Sequence, residues 1–419
     1  MNRYQDIIGR INYGLFLVFV ALLPFPQILL RYAIALWIIS WVLEGRWLSK
    51  PKSLKENKTA IPFILFGAWY AWKAISGLWA LDHAAWAWQM SRYLSFALLV
   101  PVGIWGTNKH YNWKTIGKVL VISCLVAIPG YLIWMTALHA HPEWVPYLHL
   151  SDEWVHHEEW WTFVSENISH FKHRLFLCSI ELFGAAIACQ LLRKRWKLLI
   201  PALIVMLSAI PLTGSRQSII TCAILAIIMG LMALSEGKRA KYGIVIVAIG
   251  MIVGGGLLLR HPRMQQFNWK AATEIRELSY YHDLRFNIWG AALQHPQDYI
   301  VYGLGAGQSS QYMVDRFEDA GFDHYALMKY HPHNQYLEEL MEIGIGGLLL
   351  FILAWLSIPF CAKNKGRQTA ILFTTLFILD MLTDCIFGKF DGIALWAIGL
   401  VFILLQSDAQ CKEKAAGDA

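Results

Sequence analysis

Residues 117–138 read GKVLVISCLVAIPGYLIWMTAL and carry one charge, Lys118, near their start. At 1.5 Å per residue a helix of that length rises about 33 Å, enough to cross a hydrocarbon core about 30 Å thick. Comparable apolar blocks recur along the whole chain. They give about twelve candidate spans, over residues 11–25, 29–44, 61–79, 92–107, 117–138, 173–191, 197–212, 217–234, 242–259, 336–360, 369–386 and 392–406. The second is the least regular, because Pro24, Pro26 and Arg31 crowd the turn before it. The expected fold is therefore all-α, a polytopic membrane protein.

Composition agrees with this reading. Of 419 residues, 57% are hydrophobic and 16% charged, and the mean hydropathy is +0.42. A soluble domain carries about 25% charged residues. The 20 Trp and 17 Tyr suit aromatic anchoring at two membrane interfaces. The first block, Ile11–Leu29, is too long for a signal-peptide core and lacks a small-residue cleavage site, so a retained first span is expected. The seven cysteines (Cys124, Cys178, Cys189, Cys222, Cys361, Cys385, Cys411) fall in candidate spans or at their cytosolic ends. They form neither a disulfide framework nor a zinc-binding spacing.

Charge orients the chain. With Arg3 and Arg10 in the cytosol, 22 of the 36 Lys and Arg fall in short segments on that side. This is the positive-inside pattern, and it accounts for the net charge of +7 without nucleic acid. Histidine is biased the other way: 14 of 15 lie outside, and His110 alone is cytosolic. Two outer segments stand out by length, 139–172 and 260–335. Both are rich in Trp, Tyr and His, so folded, functional loops are expected. The chain divides accordingly into residues 1–259, with nine spans and the smaller loop, the large loop 260–335, and residues 336–419, with three spans and a cytosolic tail.

Four motifs could carry chemistry. Leu212-Thr213-Gly214-Ser215-Arg216-Gln217 lies at the outer end of the seventh span. Thr213, Gly214 and Ser215 suit a tight turn that exposes N–H groups and hydroxyls, and an arginine at a helix start is a natural anion site. An interfacial anchor would look the same. His282-Asp283-Leu284-Arg285-Phe286-Asn287-Ile288-Trp289 opens a short amphipathic helix with Arg285 and Trp289 on one face; a surface ion pair is the plainer alternative. Tyr302-Gly303-Leu304-Gly305-Ala306-Gly307-Gln308 resembles a dinucleotide fingerprint only superficially, since no βαβ unit surrounds it, and a tight packing loop is expected. His331-Pro332-His333-Asn334-Gln335 directly precedes the tenth span. Asn334 can cap that helix and leave His333 at its start, where an imidazole suits general-base work near neutral pH.

Acidic residues offer less. His156-His157-Glu158-Glu159 could ligate a metal, but adjacent side chains diverge on a helix, and no metal is expected. Asp380 and Asp384 lie four apart in the eleventh span; such acids are functional suspects, or they pair with Arg216 or Lys389.

In their order and placement these motifs resemble the O-antigen ligase family and its wider superfamily of O-antigen polymerases and protein O-oligosaccharyltransferases. The resemblance covers about residues 200–360, ending in Gly344-Ile345-Gly346-Gly347-Leu348. It implies a GT-C-like fold of about twelve transmembrane helices with a large periplasmic loop containing short helices, in the cell inner membrane. It implies transfer of a glycan from undecaprenyl diphosphate to a sugar hydroxyl of lipid A–core, without cofactor. Carried over, Arg216 and Arg285 match the arginines thought to hold the diphosphate, and His333 the histidine proposed to activate the acceptor. Ser215, His331, Asn334 and Trp289 would line the substrate. The chemistry agrees, because a departing diphosphate needs positive charge and this chain offers arginines. A polymerase is the nearest alternative and protein glycosylation another. A transporter is disfavoured, since no repeat relates the two halves.

Overall fold

Within the described residues the expected apolar blocks emerge as helices. The computed structural model describes residues 3–45, 60–105, 107–147, 158–234 and 284–417, and among these every regular element is an α- or 3-10 helix. Among the described residues, eight helices are long and apolar enough to cross a membrane: Arg3–Leu22, Gln27–Glu44, Ile61–Leu78, Trp113–Ala140, Arg174–Leu191, Trp196–Thr213, Gln335–Cys361 and Phe390–Asp408. Leu94–Trp105 and Arg216–Met232 are apolar but shorter. The expected eleventh span is the helix Asn364–Met381, which also carries Lys365, Arg367 and Asp380. The ninth expected span, 242–259, and the first part of the large loop lie outside the described residues, as do His156 and His157.

The chain divides into two compact units, Met1–Glu44 with Asn108–Gln266, and Gly45–Thr107 with Phe267–Ala419. In the first, Arg3–Leu22 packs along Gln27–Glu44 and Trp113–Ala140, and the latter packs on Arg174–Leu191. Buried polar groups pin these helices. Asn12 donates to the Trp37 carbonyl (3.0 Å) and accepts from the Tyr111 hydroxyl (2.8 Å). The buried Lys172 ammonium donates to the carbonyls of Leu23 and Phe25.

In the second unit, Gln335–Cys361 packs on Ile61–Ile75 and Asn364–Met381, and Phe390–Gly417 on Asn364–Met381 and Leu94–Trp105. Aromatic rings fill the space between. Phe96 stacks on Trp396 with centroids 4.3 Å apart, and Trp355 on Phe377 at 4.6 Å. A separate small core assembles the segment 284–327. Ile288, Tyr299, Met313, Phe317 and Tyr325 bury one another between the helices Leu284–Ala292, Ser309–Asp319 and Asp323–Leu327, and Met341 joins them. The short helices expected in this loop are thus folded onto the start of Gln335–Cys361.

Candidate active site

The His331–Gln335 stretch folds as its residue types dictate. Asn334 caps Gln335–Cys361, its side-chain oxygen accepting from the N–H of Tyr336 (3.0 Å) and Leu337 (3.1 Å). His333, immediately before the cap, has φ +47°. That left-handed conformation is uncommon without glycine and concentrates at functional sites. The turn brings the His331 and His333 rings to a centroid distance of 3.8 Å, and the His333 N–H donates to His331 Nδ1 (3.1 Å).

An acid backs this pair. Asp384 Oδ1 lies 3.7 Å from His333 Nδ1, and Lys389 donates to Asp384 Oδ2 (2.9 Å). The structure corrects one expectation here. The eleventh helix ends at Met381, so Asp384 belongs to the turn that follows, where its carboxylate also accepts from the Cys385 N–H. Asp380 stays in the last helical turn, buried, and its carbonyl accepts from the N–H of Asp384. Burial, reinforced by the neighbouring His333, Lys389 and Arg92 and opposed by Asp384, pushes the His331 imidazole down to about 3. His331 is therefore neutral at pH 7, which suits an Nδ1 that accepts a backbone hydrogen bond.

His331 forms part of the wall of an open cavity of about 300 Å³. Arg92 and Lys389 bring positive charge to it, and Asp82, Glu338 and Glu342 bring carboxylates. Arg92 is fixed by a hydrogen bond to the Gly388 carbonyl and lies over the Trp88 ring, 4.6 Å from its centroid. Cationic groups of this kind suit phosphate oxygens and carboxylates suit hydroxyl donors.

Trp289 has a defined part. Its indole Nε1 donates to the Pro332 carbonyl (3.0 Å), tying the helix Leu284–Ala292 to the histidine turn. Arg285, one turn earlier on that helix, is half-buried. The glycine-rich loop packs as expected. Gly303, Gly305 and Gly307 all have positive φ, and the Gly307 N–H and Ser309 hydroxyl donate to Glu342 Oε1 (2.9 and 3.0 Å).

Arg216 and Ser215 belong to the first unit. Gly214 closes the preceding helix in the left-handed conformation (φ +59°), and Arg216 opens the helix Arg216–Leu234. The turn itself is as expected, but its hydroxyls are buried. Thr213 donates to the Ala209 carbonyl (2.9 Å), and Ser215 pairs with Ser218 (2.7 Å).

His331, His333 and Asp384 also form a group whose ligand atoms lie within 4.8 Å of one another, close enough to share a cation. Lys389 already supplies positive charge beside Asp384, and His331 Nδ1 already accepts from His333 N–H. The sequence reading missed Arg92 and Glu338. The signal for Glu338 was present, since ionisable residues inside an apolar span are functional suspects.

Residues 201–352 match the O-antigen ligase family model. That stretch covers about a third of the chain and contains Ser215, Arg216, Arg285, Trp289, His331, His333 and Asn334. It bears out the resemblance read from the motifs over nearly the same residues. The superfamily consists of membrane glycosyltransferase-like enzymes acting on lipid-linked glycans. No curated protein matches the chain.

Proposed function

We propose that the chain is an O-antigen ligase, transferring polysaccharide from undecaprenyl diphosphate to a sugar hydroxyl of lipid A–core at the periplasmic face of the inner membrane. The observation that carries this reading is the family match over a stretch in which His333 stands at a capped helix start, 3.7 Å from Asp384. The architecture proposed with it is GT-C-like, with about twelve spans and the outer loop 260–335 bearing the site.

The acceptor hydroxyl gives its proton to His333 while its oxygen attacks the anomeric carbon of the donor. The bond from that carbon to the diphosphate oxygen breaks, and the electron pair leaves with undecaprenyl diphosphate. Attack opposite the leaving group inverts the anomeric configuration. Asp384 orients the His333 ring, as a third group orients the base in other hydroxyl-activating sites. A 3.7 Å separation is ordinary for such a pair before substrate tightens it. Arg216 and Arg285 meet the charge of the departing diphosphate, so the transfer requires no metal ion. His331, neutral and half-buried at the cavity wall, positions substrate through Nε2.

Lipopolysaccharide from a strain lacking the gene, run on a gel beside its undecaprenyl-linked glycans, tests the assignment. Loss of the whole ladder with full-length polymer stranded on undecaprenyl diphosphate is the expected result. Core carrying a single repeat unit would make the chain a polymerase, and an unchanged ladder would move the assignment to protein glycosylation.

A further inference from the structure

The helix Gln335–Cys361 is broken at Gly344, which has φ +67° and ψ −176°. A break inside a membrane span frees backbone groups that lipid cannot satisfy. Here a loop satisfies them. The N–H groups of Leu304 and Gly305 donate to the carbonyls of Met341 (2.8 Å) and Glu342 (2.9 Å), and the Ile345 N–H donates to the Ile300 carbonyl (2.8 Å). Residues 300–305 therefore run against the opened span as a replacement for its missing turn.

The surface this loop presents is apolar. Ile300, Val301 and Tyr302 are 42%, 58% and 71% exposed. They adjoin the outward stripe of the span, which begins at Ile345 and continues through Leu349, Leu353 and Leu356 to Phe360. None of residues 335–344 is exposed, so the span shows no outward face before Ile345. From Ile345 to Phe360 the stripe rises about 22 Å, some 8 Å short of a typical hydrocarbon core. Ile300–Tyr302 form a turn, closed by a hydrogen bond from the Gly303 N–H to the Tyr299 carbonyl (2.9 Å), and this turn adds its apolar surface at the Ile345 end of the stripe. Tyr302 ends the patch with an amphipathic ring suited to the headgroup level.

From this geometry we infer that Ile300–Tyr302 is a re-entrant segment inserted in the bilayer, its apolar side chains against the acyl chains of the outer leaflet. The loop is then anchored in lipid beside the span and fixes the height of the histidine turn above the membrane. The inference rests on Gln335–Cys361 crossing the bilayer.

Carbene footprinting of the full chain in phosphatidylethanolamine–phosphatidylglycerol vesicles tests it. One probe is a phospholipid with a diazirine in its acyl chain, the other a water-soluble diazirine, and labelled peptides are read by mass spectrometry. Ile300–Tyr302 is expected to take the acyl-chain label and to resist the aqueous one, as Leu349–Leu353 does. Aqueous labelling of 300–302 while Leu349–Leu353 takes the lipid label would overturn the insertion and leave the membrane reading standing. Loss of the lipid label at both places would overturn both.

Discussion

Gly344→Ala isolates what the break in the span is worth. The glycine sits in a backbone region that is essentially glycine-only, which costs another residue about 1–3 kcal/mol. A Cβ built there would lie 2.3 Å from the Val301 carbonyl oxygen and 2.7 Å from its carbon. Both are backbone atoms, so no rotamer change relieves the clash, and residues 300–305 must shift. That shift strains the three hydrogen bonds joining the loop to the span, each contributing about 0.5–1.5 kcal/mol net. With two of them lost, the expected destabilisation is about 2–6 kcal/mol. Gly346→Ala is the control two residues away. Nothing lies within 4 Å of a Cβ at Gly346, and alanine there gains helix propensity of up to about 1 kcal/mol. Thermal unfolding of the two purified variants in detergent reads the difference directly. If both melted together, the break would not be the strained, loop-completed element described, and the hydrogen-bond argument would fail with it.

Chemistry and strain separate at His333. His333→Asn should keep the fold, because asparagine tolerates positive φ, yet reduce transfer by about 10²–10⁴-fold, the usual contribution of a general base; normal transfer in a reconstituted assay would remove His333 from the mechanism. Asp384→Asn should lower kcat more than it changes the KM for donor, and equal effects on both would make Asp384 a binding group. The depressed titration of His331 predicts acid lability. An imidazole held neutral in the fold destabilises it where the unfolded chain takes up a proton and the folded chain does not, so stability is full above about pH 6.5 and falls as pH drops toward 3. Melting curves between pH 7 and pH 4 should show this fall, and His331→Gln should flatten it. Transfer by the purified enzyme should persist in a chelator; its abolition, with recovery on adding a divalent cation, would give His331, His333 and Asp384 to a metal.

Much of this was legible in the sequence. Apolar block length placed the helices, because a span must satisfy its backbone within one segment whatever its neighbours do. The Asn334 cap and the left-handed Gly214 were legible because capping and turn chemistry act over a few residues. What remained hidden depends on distant partners. Thr213 and Ser215 looked like exposed hydroxyls in a tight turn, yet packing turns both inward. The Asp380/Asp384 spacing looked helical, but the helix stops at Met381 and hands Asp384 to Lys389 and the histidine turn. Arg92 gave no signal of its own, since its place at the cavity follows from a carbonyl at Gly388, far along the chain.

The first half of the broken span joins two motifs that the sequence presented separately. Between the Asn334 cap and Gly344 it carries Glu338, Glu339 and Glu342, acids that an apolar environment tolerates only with partners. The partners come from both ends of the site. Fully buried Lys73 reaches Glu342 at 2.7 Å and Glu339 at 3.2 Å, and the Trp69 indole donates to Glu339 (2.8 Å). Gly307 and Ser309 of the glycine-rich loop hold the other oxygen of Glu342. At the histidine end, Gln335 donates to Glu338 and Glu339 and accepts from the Phe387 N–H, two residues from Lys389. The glycines are then required for close packing, since a Cβ on Gly303 would meet the backbone of Glu342 and one on Gly307 the Ala85 carbonyl. Buried acids of this kind contribute little net stability but penalise every arrangement that leaves them unpaired. Their effect is to hold the glycine-rich loop, the histidine turn and the Asp384–Lys389 pair in one geometry, which a transfer reaction that depends on placing a hydroxyl against a base requires.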